Sequence, residues 1–249
     1  MKGMQLVKQR HTNDCGPAAL MMVAQHYGKD LSMEELKTRC RLTRDGISLF
    51  DLCRAAEGIG LRTLAIRCTV KELVERVPLP AIALWTGNHY VVVDEADDSQ
   101  IHVLDPARGS MEYSHGEFMR GWYQENREQG VIMVLEEAPI VSTFRRYATQ
   151  VKEKPSEEEW RELCDLVDKT VPNFHAILSN NGELPPHHYR LCCLVRLGFD
   201  NTDIKVLISE NLSNITMTYK NLHRKILQAP GSAKDFKNFI RRIGQEQLS

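Results

Sequence analysis

Segments that resemble β-strands occur only between residues 61 and 135. This uneven distribution is the feature that most restricts the fold of the chain. Short runs rich in branched residues and bounded by Gly, Pro, Asn or Asp occur at residues 61–67, 81–85, 89–95, 100–104 and 130–135. Elsewhere the apolar residues recur at helical spacing. Helices first and strands after are typical of an α+β domain rather than of alternating βαβ units. The remainder of the chain predicts a second, all-α domain.

Cap residues place individual helices in both parts. Apolar spacing predicts a helix over residues 16–27, and Ser32 with Glu35 has the capping-box pattern of another. Ser48 can cap a third helix, and Ser156 with Glu159 has the capping-box pattern of a further one. Residues 152–159 are charged and include a proline, so we predict domains at 1–138 and 160–249 joined by a linker at 139–159.

Composition excludes several classes of protein. No run approaches the ~18 consecutive apolar residues of a membrane span, and the N-terminus lacks the apolar core of a secretory signal. The seven cysteines are an odd number, which does not suggest a disulfide framework. We therefore expect a cytoplasmic protein with reduced thiols and no membrane insertion.

The nearly neutral chain, with a formal net charge of −1, hides a local surplus of positive charge. Residues 184–243 hold ten Lys and Arg against four Asp and Glu. Such a segment suits a polyanionic partner, and a solvated basic face is the alternative.

Among the cysteines, Cys15 has the most favourable position for chemistry. It directly precedes Gly16 and Pro17, where the predicted helix begins. The positive end of a helix stabilises the thiolate, which is the nucleophilic form. His89 begins an apolar strand and Asp105 closes the next, so the two could supply a base and a group that orients it. Taken alone, each of these residues is more typical of a structural role.

Four segments together resemble the bacteriocin-processing cysteine peptidases, papain-like domains that cut double-glycine leader peptides and usually stand at the N-terminus of ABC exporters. The resemblance covers about residues 3–137 and rests on residues 9–20, 46–60, 85–92 and 105–109. It implies Cys15 as nucleophile, His89 as general base and Asp105 as orienting acid, with Gln9 as the oxyanion-hole donor. A peptidase of this kind needs no metal or organic cofactor.

The sequence departs from the exporters of that family. No membrane helices follow, and no Gly-x-x-x-x-Gly-Lys phosphate loop is present. We therefore expect a peptidase that is not fused to a transporter. Its partners would be a peptide with a leader sequence and, further, an ABC exporter.

Residues 184–199, 201–204, 213–226 and 231–240 predict short helices joined by tight turns, one of them basic. On these segments, residues 156–243 resemble the LuxR-type helix-turn-helix output domains of bacterial regulators, which implies a DNA partner. The resemblance places one helix in the major groove. Its candidate DNA-binding residues are Asn214, Thr216, Met217, Lys220, Asn221, Arg224 and Lys225. Further candidates for phosphate contacts are Lys234, Arg241 and Arg242.

These features predict an α+β papain-like peptidase domain followed by an all-α helix-turn-helix domain, and thus an active peptidase coupled to transcriptional control. Two alternatives stay open. The peptidase fold could act as a catalytically silent peptide sensor that regulates transcription. The helical domain could instead be a protein adaptor that docks the peptidase on a partner.

Overall fold

The computed structural model describes residues 4–43, 46–123, 128–149 and 153–243, which form two compact units. The first unit holds the described residues up to 136 except 58–60, and the second holds 58–60 and those from 137 onward. The elements of the first unit are α1 (Cys15–His26), α2 (Met33–Arg39), α3 (Leu49–Glu57), β1 (Leu61–Cys68), α4 (Val70–Arg76), β2 (Ala81–Trp85), β3 (His89–Ala96), β4 (Gln100–Asp105), β5 (Gly109–Ser114), α5 (His115–Trp122) and β6 (Gly130–Glu137).

The described part of the second unit is helical. Its elements are α6 (Pro139–Thr149), α7 (Glu157–Thr170), α8 (Phe174–Ser179), α9 (Pro186–Arg196), α10 (Asn201–Ile208), α11 (Leu212–Leu227) and α12 (Ala233–Arg242).

Local hydrogen bonds set the helix starts that the sequence predicts. Ser32 accepts from the backbone N–H of Glu35, and the Glu35 carboxylate accepts in return from the backbone N–H of Ser32. The same reciprocal pair opens α7 at Ser156 and Glu159. Both pairs satisfy backbone donors that a helix cannot pair internally.

One six-stranded sheet, in the order β1-β6-β2-β3-β4-β5, organises the first unit. Strands β2 to β5 pair antiparallel in sequence order, and β6 inserts between β1 and β2. Side chains of a strand alternate between faces. One face of the sheet packs on α4 through Leu73 and on α5 through Phe118 and Trp122, and α1 packs against β3.

Strand β5 and the short helices α4 and α5 escape the sequence prediction. β5 lies at the sheet edge, and after the buried Gly109 its residues alternate between exposed and partly buried, so it has little apolar signal. The two helices do have a detectable signal, because Thr69 with Glu72 and Ser114 with Glu117 form capping boxes.

The predicted linker at 139–159 is wrong for its first half. Residues 139–149 form α6, whose Val141 and Phe144 are fully buried in the apolar core of the helical unit. The Phe144 ring meets the Trp160 ring edge-on with a centroid separation of 4.6 Å. The charged residues and the proline that indicated a linker lie at residues 152–159. The apolar face of α6 packs in the core of the second unit. Residues 150–152 of the predicted linker lie outside the described residues.

Candidate active site

Cys15 is the first residue of α1 and follows Asp14, the N-cap residue. Only 5% of Cys15 is exposed. Backbone N–H groups at a helix start have no partner within the helix, and they favour a negative charge there. The helix start predicted from Gly16 and Pro17 thus holds the thiol where a thiolate is stabilised.

Gly16 allows the start of α1 to approach its neighbours closely. A Cβ atom at this position would lie 2.4 Å from Cγ2 of Ile47 and 3.4 Å from Cδ2 of Tyr90. The Tyr90 hydroxyl also donates to the Ile47 carbonyl at 3.1 Å. Tyr90 follows His89 in β3, so the same contact brings Cys15 close to the start of that strand.

His89 and Asp105 meet because their strands are antiparallel neighbours. His89 begins β3 and Asp105 ends β4, so both lie at the same end of the sheet. Nε2 of His89 lies 2.8 Å from Oδ1 of Asp105. The same carboxylate oxygen accepts from the backbone N–H of Ala107 at 2.7 Å and of Arg108 at 3.2 Å. The turn after β4 therefore orients the carboxylate that holds the imidazole.

The Cys15 thiol and the His89 imidazole shift each other's pKa. Burial alone raises the pKa of Cys15, but the hydrogen bond to His89, a backbone hydrogen bond at Tyr90 and the charge of His89 bring it below 9.0. Burial lowers the pKa of His89, but hydrogen bonds to Cys15 and Asp105 raise it above 6.5 overall. These opposite shifts favour a thiolate–imidazolium pair.

Gln9 is tied to this cluster through its backbone. Its N–H donates to the carbonyl of Pro106 at 3.0 Å, in the turn that follows Asp105. The side-chain Oε1 is buried and has no hydrogen-bond partner among the described residues. The structure thus brings all four predicted catalytic residues, Gln9, Cys15, His89 and Asp105, to one end of the sheet.

Asp14 is a member of the site to which the sequence analysis gives no role. Its carboxylate accepts from Nζ of Lys37 at 2.6 Å and from the backbone N–H of His11 at 3.1 Å, and 3% of the side chain is exposed. The N–H of Asp14 donates to the His11 carbonyl at 3.0 Å, which closes the turn between Gln9 and Cys15. Lys37 lies on α2, 23 residues from Asp14 along the chain, so no local sequence pattern predicts that the two meet.

The predicted DNA-binding residues lie along α11 in the second unit. Three residues, 209–211, separate α10 from α11, and Ser209 has a left-handed φ of 59°. Six of the candidates are exposed and Thr216 is half-buried. The opposite face of α11 is buried, with Ile215, Tyr219 and Leu222 in the core.

Some of the predicted nucleic-acid contacts already have protein partners. Asn214 donates to Glu210 at 2.9 Å, and Nζ of Lys225 donates to the Glu183 carbonyl at 2.9 Å. The prediction that Arg241 contacts phosphate is wrong, because only 6% of the residue is exposed. Its backbone carbonyl accepts a hydrogen bond from the guanidinium of Arg196.

The described residues contain no group of three or more His, Cys, Asp or Glu side chains that could hold a metal ion. Within the same residues no helix combines the length and the apolar character that crossing a bilayer requires.

A comparison with protein families decides what the first unit is. The peptidase C39 family model matches residues 3–136, which is more than half of the chain. The chain belongs to the peptidase C39 family. The prediction of a cysteine peptidase domain over residues 3–137 is thereby confirmed.

Curated proteins similar to this C39 chain come from several bacteria. It is 29% identical over 123 residues to the lactococcin-G-processing and transport ATP-binding protein LagD of Lactococcus lactis, which covers 47% of this chain and 18% of LagD. It is 29% identical over 162 residues to the pediocin PA-1 transport/processing ATP-binding protein PedD of Pediococcus acidilactici, covering 62% of this chain and 20% of PedD. The chain therefore spans about a fifth of the length of these relatives.

Two further similar proteins match this chain over more than half of their own length. The probable functional amyloid protease FapD of Pseudomonas aeruginosa is 30% identical over 128 residues, which covers 47% of this chain and 56% of FapD. A crystal structure of a double glycine motif protease from an AMS/PCAT transporter, in complex with its leader peptide, is 26% identical with a TM-score of 0.51. That match covers 55% of this chain and 93% of the other, and it confirms the predicted papain-like α+β fold.

Proposed function

We propose that this protein is a cytoplasmic cysteine endopeptidase that cleaves a peptide after a double-glycine type of leader. The observation that carries the proposal is the position of His89, whose Nε2 lies 2.8 Å from Oδ1 of Asp105 at the end of the sheet where α1 and Cys15 pack against β3. The similar solved structure is a double glycine motif protease bound to a leader peptide, which supports this substrate class.

The chemistry would run through an acyl-thioester. The Cys15 thiolate attacks the scissile carbonyl carbon, and the side-chain amide of Gln9 donates to the oxyanion that develops. His89 protonates the leaving amine and then takes a proton from the water that hydrolyses the thioester. Asp105 accepts from Nε2–H of His89, so Nδ1 is the nitrogen that faces Cys15.

Mass spectrometry of synthetic double-glycine leader peptides, incubated with the full chain, tests this proposal. We expect the wild type to release the leader at the Gly-Gly position and Cys15→Ala to release none. Cys53→Ala is the matched control, because Cys53 is half-buried and burial raises its pKa above 9.0. Asp105→Asn should retain partial activity, because that side chain orients the imidazole without reacting.

If Cys15→Ala still cuts, or if the wild type binds these peptides and cuts none, the peptidase proposal fails. The second result would favour the peptide-sensor alternative.

We also propose that the helical unit binds duplex DNA through α11. Two helices joined by a three-residue turn, with a buried apolar face on the second and exposed Lys220, Asn221 and Arg224 opposite, support this second function. Exposed Met217 could contact a thymine methyl group, as apolar side chains do in the major groove.

Filter binding of the full chain to random-sequence duplex over a range of salt concentrations tests the DNA proposal. Affinity should fall steeply with salt, because each neutralised phosphate releases counterions. Lys220→Ala with Arg224→Ala should weaken binding and leave peptide cleavage unchanged. No binding at any salt concentration, or the same affinity at low and high salt, would contradict the DNA proposal.

That result would favour the adaptor alternative, with an ABC exporter as the docked partner. LagD and PedD are named transport and processing proteins, which supports that partner.

A further inference from the structure

Three side chains on adjacent strands of the sheet form a second hydrogen-bonded series. Oγ of Ser110 on β5 lies 2.7 Å from Nε2 of His102 on β4. Nδ1 of the same ring lies 2.6 Å from Oδ1 of Asp94 on β3. The side chain of Asp94 is 8% exposed and that of His102 is 26% exposed, and Ser110 is exposed.

The strand register brings the three residues to one face. Ser110 pairs with Leu104 across β4 and β5, and His102 lies two residues from Leu104 on the same strand. Side chains two apart in a strand point to the same face, so Ser110 and His102 share it.

A β-bulge places the acidic member. The β3–β4 register shifts between Val93 and Glu95, and Glu95 pairs with His102. In a bulge, two residues on one strand oppose one on its partner, and bulges often re-aim a side chain beside a functional site. Asp94 is the extra residue here, and its carboxylate meets the His102 ring.

We propose that Ser110, His102 and Asp94 form a second nucleophilic site, of the serine-hydrolase type, which hydrolyses small esters. A carboxylate can only accept hydrogen bonds, so Asp94 selects the tautomer in which Nδ1 of His102 carries the proton. Nε2 is then the acceptor for the Ser110 hydroxyl. Nucleophile, base and orienting acid thus follow one another in the order of a Ser-His-Asp triad.

Ester hydrolysis at this site needs only these three side chains and water. Oγ of Ser110 bonds to the ester carbonyl carbon as its proton passes to Nε2 of His102, and the carbon–oxygen bond to the leaving group breaks as that proton passes to the leaving alkoxide. Water then attacks the acyl-serine with His102 as base, which releases the acid and restores the serine hydroxyl.

A cavity of about 380 Å³ adjoins this series and sets the class of substrate. Met4, Leu6 and Leu104 supply apolar walls, and four acidic residues also line it: Asp94, Glu95, Asp97 and Glu112. This volume is in the range of small-molecule sites. Apolar walls suit a short acyl chain, and the carboxylates disfavour an anionic substrate. We therefore expect neutral or cationic esters with short acyl groups.

The second site is separate from the proposed peptidase site. None of Gln9, Cys15, His89 and Asp105 lines this cavity. A test in the Cys15→Ala background therefore removes the reactive thiol and leaves the Ser110 series intact. Its outcome is independent of whether the peptidase proposal holds.

Hydrolysis of p-nitrophenyl butyrate by the full-length Cys15→Ala protein tests the proposal. Adding Ser110→Ala or His102→Gln should lower the rate at least about tenfold, since a positioned base typically contributes 10²–10⁴-fold. Ser99→Ala is the matched control, because the Ser99 hydroxyl bonds to the Asp97 carboxylate at 2.7 Å in the neighbouring turn. We expect that variant to keep the rate of the Cys15→Ala protein.

A fluorophosphonate probe gives a measurement that needs no change at Ser110. Peptide mapping of the labelled Cys15→Ala protein should find the phosphonyl group on Ser110 and none on Ser99. Labelling of Ser99 and Ser110 to the same extent, or ester hydrolysis that survives Ser110→Ala undiminished, would overturn the proposal.

Discussion

Replacing Lys37 by Met should destabilise the part of the first unit that holds Cys15. The change leaves the Asp14 carboxylate, 3% exposed, without the ammonium group that lies 2.6 Å away. Breaking a buried ion pair costs about 3–5 kcal/mol, whereas an exposed pair contributes about 1 kcal/mol or less. The Lys37 side chain is 26% exposed, so we place the loss between these limits, at about 2 kcal/mol.

Cys40 is a natural reporter of this loss. It is completely buried at the C-terminal end of α2, the helix that carries Lys37, and burial raises its pKa to about 12. In the native state it should react with a thiol reagent only after local opening. A loss of about 2 kcal/mol should speed its labelling about 30-fold, since each 1.4 kcal/mol is a factor of ten.

Two variants make the result decisive. Lys71→Met removes an 80% exposed lysine that lies 3.8 Å from Glu75, and it should leave Cys40 labelling nearly unchanged. Adding Asp14→Asn to Lys37→Met removes the uncompensated charge and should restore part of the protection. Labelling in Lys37→Met no faster than in Lys71→Met, or faster still in the double variant, would refute this account.

The pH dependence of the wild type provides an independent check on the same ion pair. Burial alone raises the pKa of Asp14, but hydrogen bonds from Lys37 and from the His11 backbone bring it below 3.8. A lowered carboxyl pKa stabilises the folded state above the unfolded value and loses that effect as pH falls through the folded one. Cys40 should therefore stay protected at neutral pH and lose part of that protection below about pH 3.8.

Three further predictions concern the site itself. Gln9→Ala should lower the rate constant for leader cleavage about 10²–10³-fold with little change in KM, measured by steady-state kinetics; an unchanged rate constant would remove Gln9 from the oxyanion hole. His89→Gln should slow alkylation of Cys15 by iodoacetamide at neutral pH, because the thiol loses the partner that lowers its pKa; equal rates from pH 6 to 9 in both proteins would contradict this. Gly16→Ala should lower the free energy of unfolding by about 1–3 kcal/mol in thermal unfolding, because its Cβ would lie 2.4 Å from Cγ2 of Ile47. Ile47→Ala removes that atom, so it should cost less stability in the Gly16→Ala background than in the wild type; full stability of Gly16→Ala would show that the contact relaxes freely.

Local signals in the sequence determined most of the secondary structure. The capping pairs at Ser32 and Ser156 open helices where they were expected, because a cap acts through hydrogen bonds within three residues. The start of α1 at Cys15 has no side-chain cap, and the following Gly16 and Pro17 indicated it instead. The strand β5 was missed because an edge strand of alternating burial has no continuous apolar run.

The tertiary structure alone decided which side chains meet. His89 and Asp105 lie sixteen residues apart, and their contact depends on the antiparallel pairing of β3 with β4. Neither Lys37 beside Asp14 nor His102 between Asp94 and Ser110 follows from a periodic pattern. Such contacts are set by strand order, register and helix packing, whose free energy is spread over the whole unit, whereas periodicity records only which face of one element is buried.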